Sequence, residues 1–289
     1  VFSTLFGDQG IEEVLKEEFS REEGGKRIDY RLKAANPPVL VTSYDMEAKA
    51  PWIFRSEAAK LKADEDFPLW QVARATSAAP TYFPPFLLKS PKKDKQERMA
   101  ALAEPDRDDQ HSGNLALLDG GMFANNPSVL AYTEMLAISQ DWKLKNEKPS
   151  VLGNPRGFDA PAVEGGASPD FLLLSLGCGQ TSTPYPYRKF RKSWGPTGAI
   201  KLIEIFMQGT SATVDYQMQC LLPRKITASG NRQRYFRLNP TIPQAASEMS
   251  DISEKNLFRL KKAANDMLEQ PQVKSDLQQI VCRLQERKV

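Results

Sequence analysis

Apolar positions first recur at helical spacing in residues 10–19, where Ile11, Val14, Leu15 and Phe19 fall on one face and predict an amphipathic helix. After the breaker Pro37-Pro38, the run Val39-Leu40-Val41-Thr42-Ser43-Tyr44 predicts a buried strand. Trp52-Ile53-Phe54 predicts a short antiparallel return. Residues 69–77 predict a helix, entered through Asp66-Phe67-Pro68 and stopped by Pro80. Its exit, Thr76-Ser77-Ala78-Ala79-Pro80, is small and tightly turned, and Tyr82-Phe83-Pro84-Pro85-Phe86 is rigid and aromatic. Small residues let backbones approach closely, so a packed corner between two layers is expected here.

Asn114-Leu115-Ala116-Leu117-Leu118 is a short apolar run ending abruptly in Asp119-Gly120-Gly121. Asn125-Asn126-Pro127 then supplies an N-cap asparagine and a proline at the first helical position, with Val129, Leu130, Thr133 and Leu136 continuing the helix. Phe171-Leu172-Leu173-Leu174-Ser175-Leu176, closed by Gly177-Cys178-Gly179, is the clearest strand. A continuous apolar run bounded by glycines predicts a strand covered on both faces by helices. Residues 199–222 predict a long helix and Tyr235-Phe236-Arg237-Leu238 a late strand. Within the C-terminal segment, residues 250–289, two amphipathic helices are expected at 253–268 and 273–284. Strands separated by helices predict layered α/β architecture. Residues 88–113 and 145–169 break the pattern: both are polar, and neither carries enough apolar surface to offset chain entropy, so both read as surface insertions.

Composition acts mainly by exclusion. The 289 residues, 40% apolar and 26% charged, suffice for a full core. A net charge of +3 is too small to imply nucleic acid. Cys178, Cys220 and Cys282 form neither a disulfide framework nor a metal clip, and no metal site is expected. No run approaches the roughly 18 apolar residues of a membrane span, and the first residues lack a cationic leader, so a cytoplasmic or membrane-peripheral location is expected. The single histidine, His111, lies in the first polar insertion, where a solvated side chain is expected rather than a catalytic one.

Chemistry concentrates at Asp119. A carboxylate directly after an apolar strand sits at a sheet's carboxyl edge, where open α/β sheets bind ligands. Gly120 and Gly121 remove Cβ obstruction and let another element approach it. That placement suits a general base. Taken alone, Asp-Gly-Gly fits a turn or helix cap better. The wider order of motifs changes the balance. Thr76-Ser77-Ala78-Ala79-Pro80-Thr81-Tyr82-Phe83-Pro84-Pro85 comes first, then Leu118-Asp119-Gly120-Gly121 with Asn125-Asn126-Pro127. Leu172-Leu173-Leu174-Ser175-Leu176-Gly177-Cys178-Gly179 and Tyr235-Phe236-Arg237-Leu238 follow. Together, from residue 10 to beyond 248, they resemble the patatin-like phospholipase family.

The resemblance implies a three-layer α/β/α fold, spanning residues 1–289 as a single domain, that hydrolyses acyl esters of lipids with a Ser-Asp dyad and no metal or cofactor. It places Asp119 on the family's catalytic aspartate, and a dyad needs no histidine. Two family motifs do not occur: the Gly-Gly-x-Arg-Gly loop that supplies oxyanion donors, and Gly-x-Ser-x-Gly, which presents the nucleophile. Gly209-Thr210-Ser211-Ala212-Thr213 is no substitute, because it ends in Thr213, sits within a helical pattern and follows Asp119 instead of preceding it. No nucleophile is therefore assigned in this chain. The expectation is that the sequence begins downstream of the elbow, lacks the N-terminal β-α-β portion, and does not fold stably without that segment as a covalent or noncovalent partner.

The other class of function left open is a noncatalytic lipid-binding or regulatory pseudoenzyme of the same fold. Cys178, at a strand end, is expected to be a small packing residue, not a thiol nucleophile. Tyr187-Arg188-Lys189-Phe190-Arg191-Lys192-Ser193-Trp194 interleaves cations with aromatics, which suits transient contact with an anionic lipid surface and equally a solvated loop.

Overall fold

The computed structural model describes residues 4–89, 114–139, 171–181, 184, 187–188, 196–223, 225–227, 230–248 and 250–286. His111, nearly all of both polar insertions and most of the 187–194 stretch lie outside the described residues. The chain is mixed α/β and divides into two compact units: residues 1–125 with 137–166, and residues 126–136 with 167–289.

The first unit opens with α1 (Gln9–Glu18), then β1 (Ser20–Glu23) and β2 (Lys26–Asp29). These strands are charged rather than alternating, and the turn makes the hairpin: Gly24 and Gly25 take φ +60° and +73°, the left-handed pair a tight hairpin needs. β3 (Leu40–Asp45) and β4 (Ala50–Arg55) form a second hairpin. Asp45 closes it, its Oδ1 accepting the N–H groups of Glu47 (3.1 Å) and Ala48 (3.2 Å) and turning the chain back. After α2 (Ser56–Leu61) and α3 (Leu69–Thr76) come β5 (Phe86–Leu88), β6 (Leu115–Asp119) and the single turn α4 (Gly121–Ala124). β3, β4, β5 and β6 form one sheet in the order β4-β3-β6-β5, antiparallel throughout. Leu88, counted by sequence as the start of the first insertion, ends β5 opposite Leu115 and is buried.

The core of this unit lies between the sheet and α3. Leu115 and Leu117 of β6 pack with Phe54, Phe86 and Leu88 against Val72, Ala75 and Ala78. Phe54 meets Phe67 edge-on at 5.5 Å, and Trp70 meets Phe86 at 6.1 Å, geometries that add to plain burial.

In the second unit, α5 (Ser128–Ser139) precedes β7 (Leu173–Leu176) and β8 (Gln180–Thr181), followed by the long α6 (Pro196–Leu221). Then come β9 (Lys225–Thr227), β10 (Gly230–Arg232), β11 (Tyr235–Leu238), β12 (Thr241–Ile242), α7 (Glu254–Leu268) and α8 (Pro271–Glu286). β7 runs parallel to β11 and β8 parallel to β12. Leu173 and Tyr235 pack with Tyr132 and Phe171 and with Met218 and Leu222. The expectation that β7 is covered on both faces is corrected: Leu174 and Leu176 are 40% and 69% exposed, while Leu173 and Ser175 are buried. Strand alternation decides this, because the run is apolar on both faces but only one is packed. Ser253 caps α7, its hydroxyl accepting the Asn256 N–H.

Leu117 is 0% exposed at the centre of the four-stranded sheet. Leu117→Ala should lower the unfolding free energy by about 2–5 kcal/mol, measured by denaturant titration against the parent chain.

Candidate active site

Asp119 is the last residue of β6, and three features of the first unit hold it. Its backbone N–H donates to the Ala78 carbonyl at 3.1 Å, linking the strand end to the turn after α3. In register it stands opposite Ser43 of β3, whose hydroxyl donates to the Leu118 carbonyl at 2.6 Å. Its Oδ1 accepts the Gly121 N–H at 2.7 Å. Oδ2 takes no hydrogen bond from the described residues, and Asp119 is only partly buried. Among the described residues, one carboxylate oxygen is thus anchored and the other has no donor. Burial pushes the Asp119 carboxyl above the ordinary aspartate range, with the Gly121 amide offsetting part of that rise.

The glycine next to it is required by close approach. A Cβ on Gly120 would stand 2.1 Å from the Thr42 carbonyl oxygen and 2.2 Å from Thr42 Oγ1. Thr42 is itself fixed, because the Thr76 hydroxyl donates to its carbonyl at 2.7 Å. The backbone of β6 therefore leaves the sheet pressed against β3, and α4 begins at once, with Ala124 N–H donating to the Gly120 carbonyl at 2.9 Å. Gly121 acts through its N–H, at the start of α4, as the donor to the carboxylate.

Sequence reasoning located Asp119, Gly120 and Gly121 but missed Thr42, Ser43 and Ala78. These act through backbone carbonyls and register, and only the small-residue run around Ala78 hinted at the contact. Ser43 is fully buried, with its hydroxyl given to Leu118, and Ser77 donates to the Arg74 carbonyl. Neither has the exposed strand–turn–helix setting that a nucleophilic serine needs.

The remaining sequence-derived candidates lie in the second unit. Ser211 sits inside α6, and its Oγ accepts Arg237 Nη2 at 3.3 Å. Asn126 caps α5: its Oδ1 accepts the Ser128 N–H at 3.3 Å, together with the hydroxyls of Ser128 and Ser175. Arg237 Nη1 donates to Ser175 Oγ at 2.8 Å, completing a buried polar network that links α5, β7 and β11. Cys178, expected to pack, is exposed. Its neighbours pack instead: Asn239 Oδ1 accepts the Gly179 N–H at 2.9 Å and stands 2.2 Å from where a Gly177 Cβ would be. Among the described residues no cluster of three His, Cys, Asp or Glu side chains is placed to hold a metal ion, and no helix is long and apolar enough to cross a membrane.

Comparison with known proteins bears on this geometry. Residues 2–132, which include the whole Asp119 arrangement, match the family model for patatin-like phospholipase. The chain is 32% identical over 214 residues to "Probable inactive patatin-like protein 9" of Arabidopsis thaliana, covering 74% of this chain and 45% of that protein. It is 29% identical over 274 residues to "Patatin-like protein 6" of the same plant (92% and 44%), and 25% identical over 249 residues to "Patatin-08" of Solanum tuberosum (83% and 55%). The chain thus spans about half the length of the curated relatives it matches. A strand-end Asp-Gly-Gly held in this way, the family match through it and patatin-like relatives along most of the sequence together identify the chain as patatin-like, of the patatin-like phospholipase family.

Proposed function

We propose that this chain supplies the general base of a lipid acyl hydrolase that works by a Ser-Asp dyad on a three-layer α/β/α scaffold, with Asp119 as the base. The observation that carries the reading is the state of that carboxylate: set at a strand end, partly desolvated, one oxygen fixed by Gly121 and the other without a donor among the described residues. The family match supports hydrolysis of acyl esters. The nucleophile comes from a segment outside these 289 residues, covalently continuous or a separate chain, because no Gly-x-Ser-x-Gly occurs among them.

Asp119 accepts the proton of that serine, and the resulting alkoxide attacks the ester carbonyl. Backbone donors from the same outside segment hold the oxyanion, an effect of about 10²–10³ in rate per donor. Return of the proton from Asp119 expels the alcohol, and water hydrolyses the acyl-enzyme. A raised carboxyl pKa makes Asp119 a better proton acceptor once ionised and sets the acid limb of the rate profile.

A second reading, a noncatalytic lipid-binding pseudoenzyme, is favoured by one observation: a relative 32% identical is named "Probable inactive patatin-like protein 9". A serine-reactive fluorophosphonate separates the two on the complete protein. The hydrolase is labelled at a serine outside this chain, and the pseudoenzyme takes no label.

Two outcomes are expected of Asp119→Asn. Turnover of a phospholipid ester should fall by about 10²–10⁴-fold, and retention of more than a tenth of the parent rate would remove Asp119 from the mechanism. Stability should move the other way. Because the folded carboxyl titrates above its unfolded value, it favours the fold fully below the unfolded pKa, and this contribution disappears as pH rises through the folded midpoint. Relative to the Asn variant, the parent protein should therefore lose stability as pH rises from the ordinary aspartate range through the raised folded midpoint, read as diverging urea midpoints.

A further inference from the structure

Arg74 is 1% exposed, in the last turn of α3, yet its charge is poorly compensated. Nη2 donates to the Pro84 carbonyl at 3.1 Å, while Nε and Nη1 make no hydrogen bond with the described residues. The carboxylate paired with it, Glu12 Oε1 on α1, is 3.9 Å from Nε and also serves Lys16 through its other oxygen. What surrounds the guanidinium is aromatic: its central carbon lies 5.7 Å from the Phe83 ring centre and 5.6 Å from that of Phe86. Burial pushes its pKa down, with the charges of Glu12 and Asp8 offsetting only part of that fall. An apolar side chain of similar length would fill this space with less desolvation cost, so packing alone does not account for an arginine here.

Its partners share one property. Phe83, Pro84 and Phe86 belong to the segment that reaches Asp119 from both ends. At one end, the Ala78 carbonyl accepts the Asp119 N–H. At the other, Phe86 opens β5 opposite Leu117, two residues before Asp119. Between them the segment has little regular structure and carries Thr81 at φ +74°, a left-handed conformation that a β-branched residue keeps only when its surroundings impose it. The arginine backbone takes part too, its carbonyl accepting the Ser77 hydroxyl at 3.2 Å.

We propose that Arg74 is a positioning residue for Asp119, bracing residues 78–86 against α3 so that the Ala78 carbonyl and β5 hold the end of β6 in place. This rests on the reading of Asp119 as the base. One planar cation reaches a carbonyl and two ring faces at once, which a leucine or methionine cannot do. When the brace is lost, the segment loosens, the Asp119 N–H opens to solvent and water reaches the carboxylate.

The test uses the complete protein containing this chain, isotopically labelled, with Arg74→Met and Arg74→Lys variants. Amide exchange of Asp119 is compared with that of Ser56, whose N–H bonds the Val39 carbonyl away from the segment, and the Asp119 side-chain carboxyl is titrated by carbon NMR. In Arg74→Met the Asp119 amide should exchange about tenfold faster or more relative to Ser56, with the carboxyl midpoint falling toward the ordinary aspartate value. Arg74→Lys, which keeps the charge and a donor for Pro84, should recover part of both. A folded Arg74→Met protein whose Asp119 amide and midpoint match the parent overturns the brace, and a merely structural arginine would give that result alongside a lowered melting temperature. If Arg74→Met does not fold, Phe83→Leu removes one ring face while keeping an apolar side chain of somewhat smaller volume. There a faster Asp119 amide supports the proposal and an unchanged one overturns it. An Asp119 that titrates in the ordinary range in the parent protein would sink the proposed catalytic role, while the exchange comparison would still decide the brace.

Discussion

The arrangement depends on a close backbone approach at the end of β6. Gly120 lies where any side chain would meet the Thr42 carbonyl and hydroxyl, so the chain leaves the sheet in contact with β3. That contact puts the Gly121 nitrogen 2.7 Å from Asp119 Oδ1, and no described residue donates to the second oxygen. A carboxylate with one bond and partial burial is caught between two tendencies: desolvation raises its pKa, and the amide lowers it. The first is the larger. The result is a carboxylate fixed in direction, with no cation beside it among the described residues, the setting that the proposed role of base calls for.

The supports around it are equally directional. Thr76, at the end of α3, bonds the Thr42 carbonyl that faces Gly120, and Ser43 bonds Leu118 from the neighbouring strand. A buried hydroxyl on a strand carbonyl costs desolvation unless the geometry is good, and 2.6–2.7 Å separations meet that requirement. Helix, sheet and turn thus converge on the backbone at the end of β6, where directional hydrogen bonds hold the chain.

Much of this was legible in sequence, unevenly. Strand β6 showed as an apolar run cut off by Asp-Gly-Gly, and α1, α3, α6, α7 and α8 showed through helical spacing of apolar residues. The β1–β2 hairpin did not, because Ser20-Arg21-Glu22-Glu23 and Lys26-Arg27-Ile28-Asp29 carry no apolar alternation. β5 was hidden behind Pro84-Pro85, with only Phe86-Leu87-Leu88 in the ladder. The antiparallel direction of β6 against both neighbours is a tertiary property that no local pattern encodes. Arg74 was invisible for the opposite reason: a cation in a helix reads as solvated until the rings of Phe83 and Phe86 are seen around it. The small-residue run from Thr76 to Pro80 did announce a close approach, and the Ala78 carbonyl is where it occurs.

The central claim is that Asp119 takes the proton of a serine carried by another segment. The most direct measurement is the second-order rate of serine modification by a fluorophosphonate on the complete protein, followed as a function of pH. The account predicts a rate rising through a single ionisation above the ordinary carboxylate range, with that dependence absent in Asp119→Asn. A rate that follows the same pH curve in both proteins would contradict it.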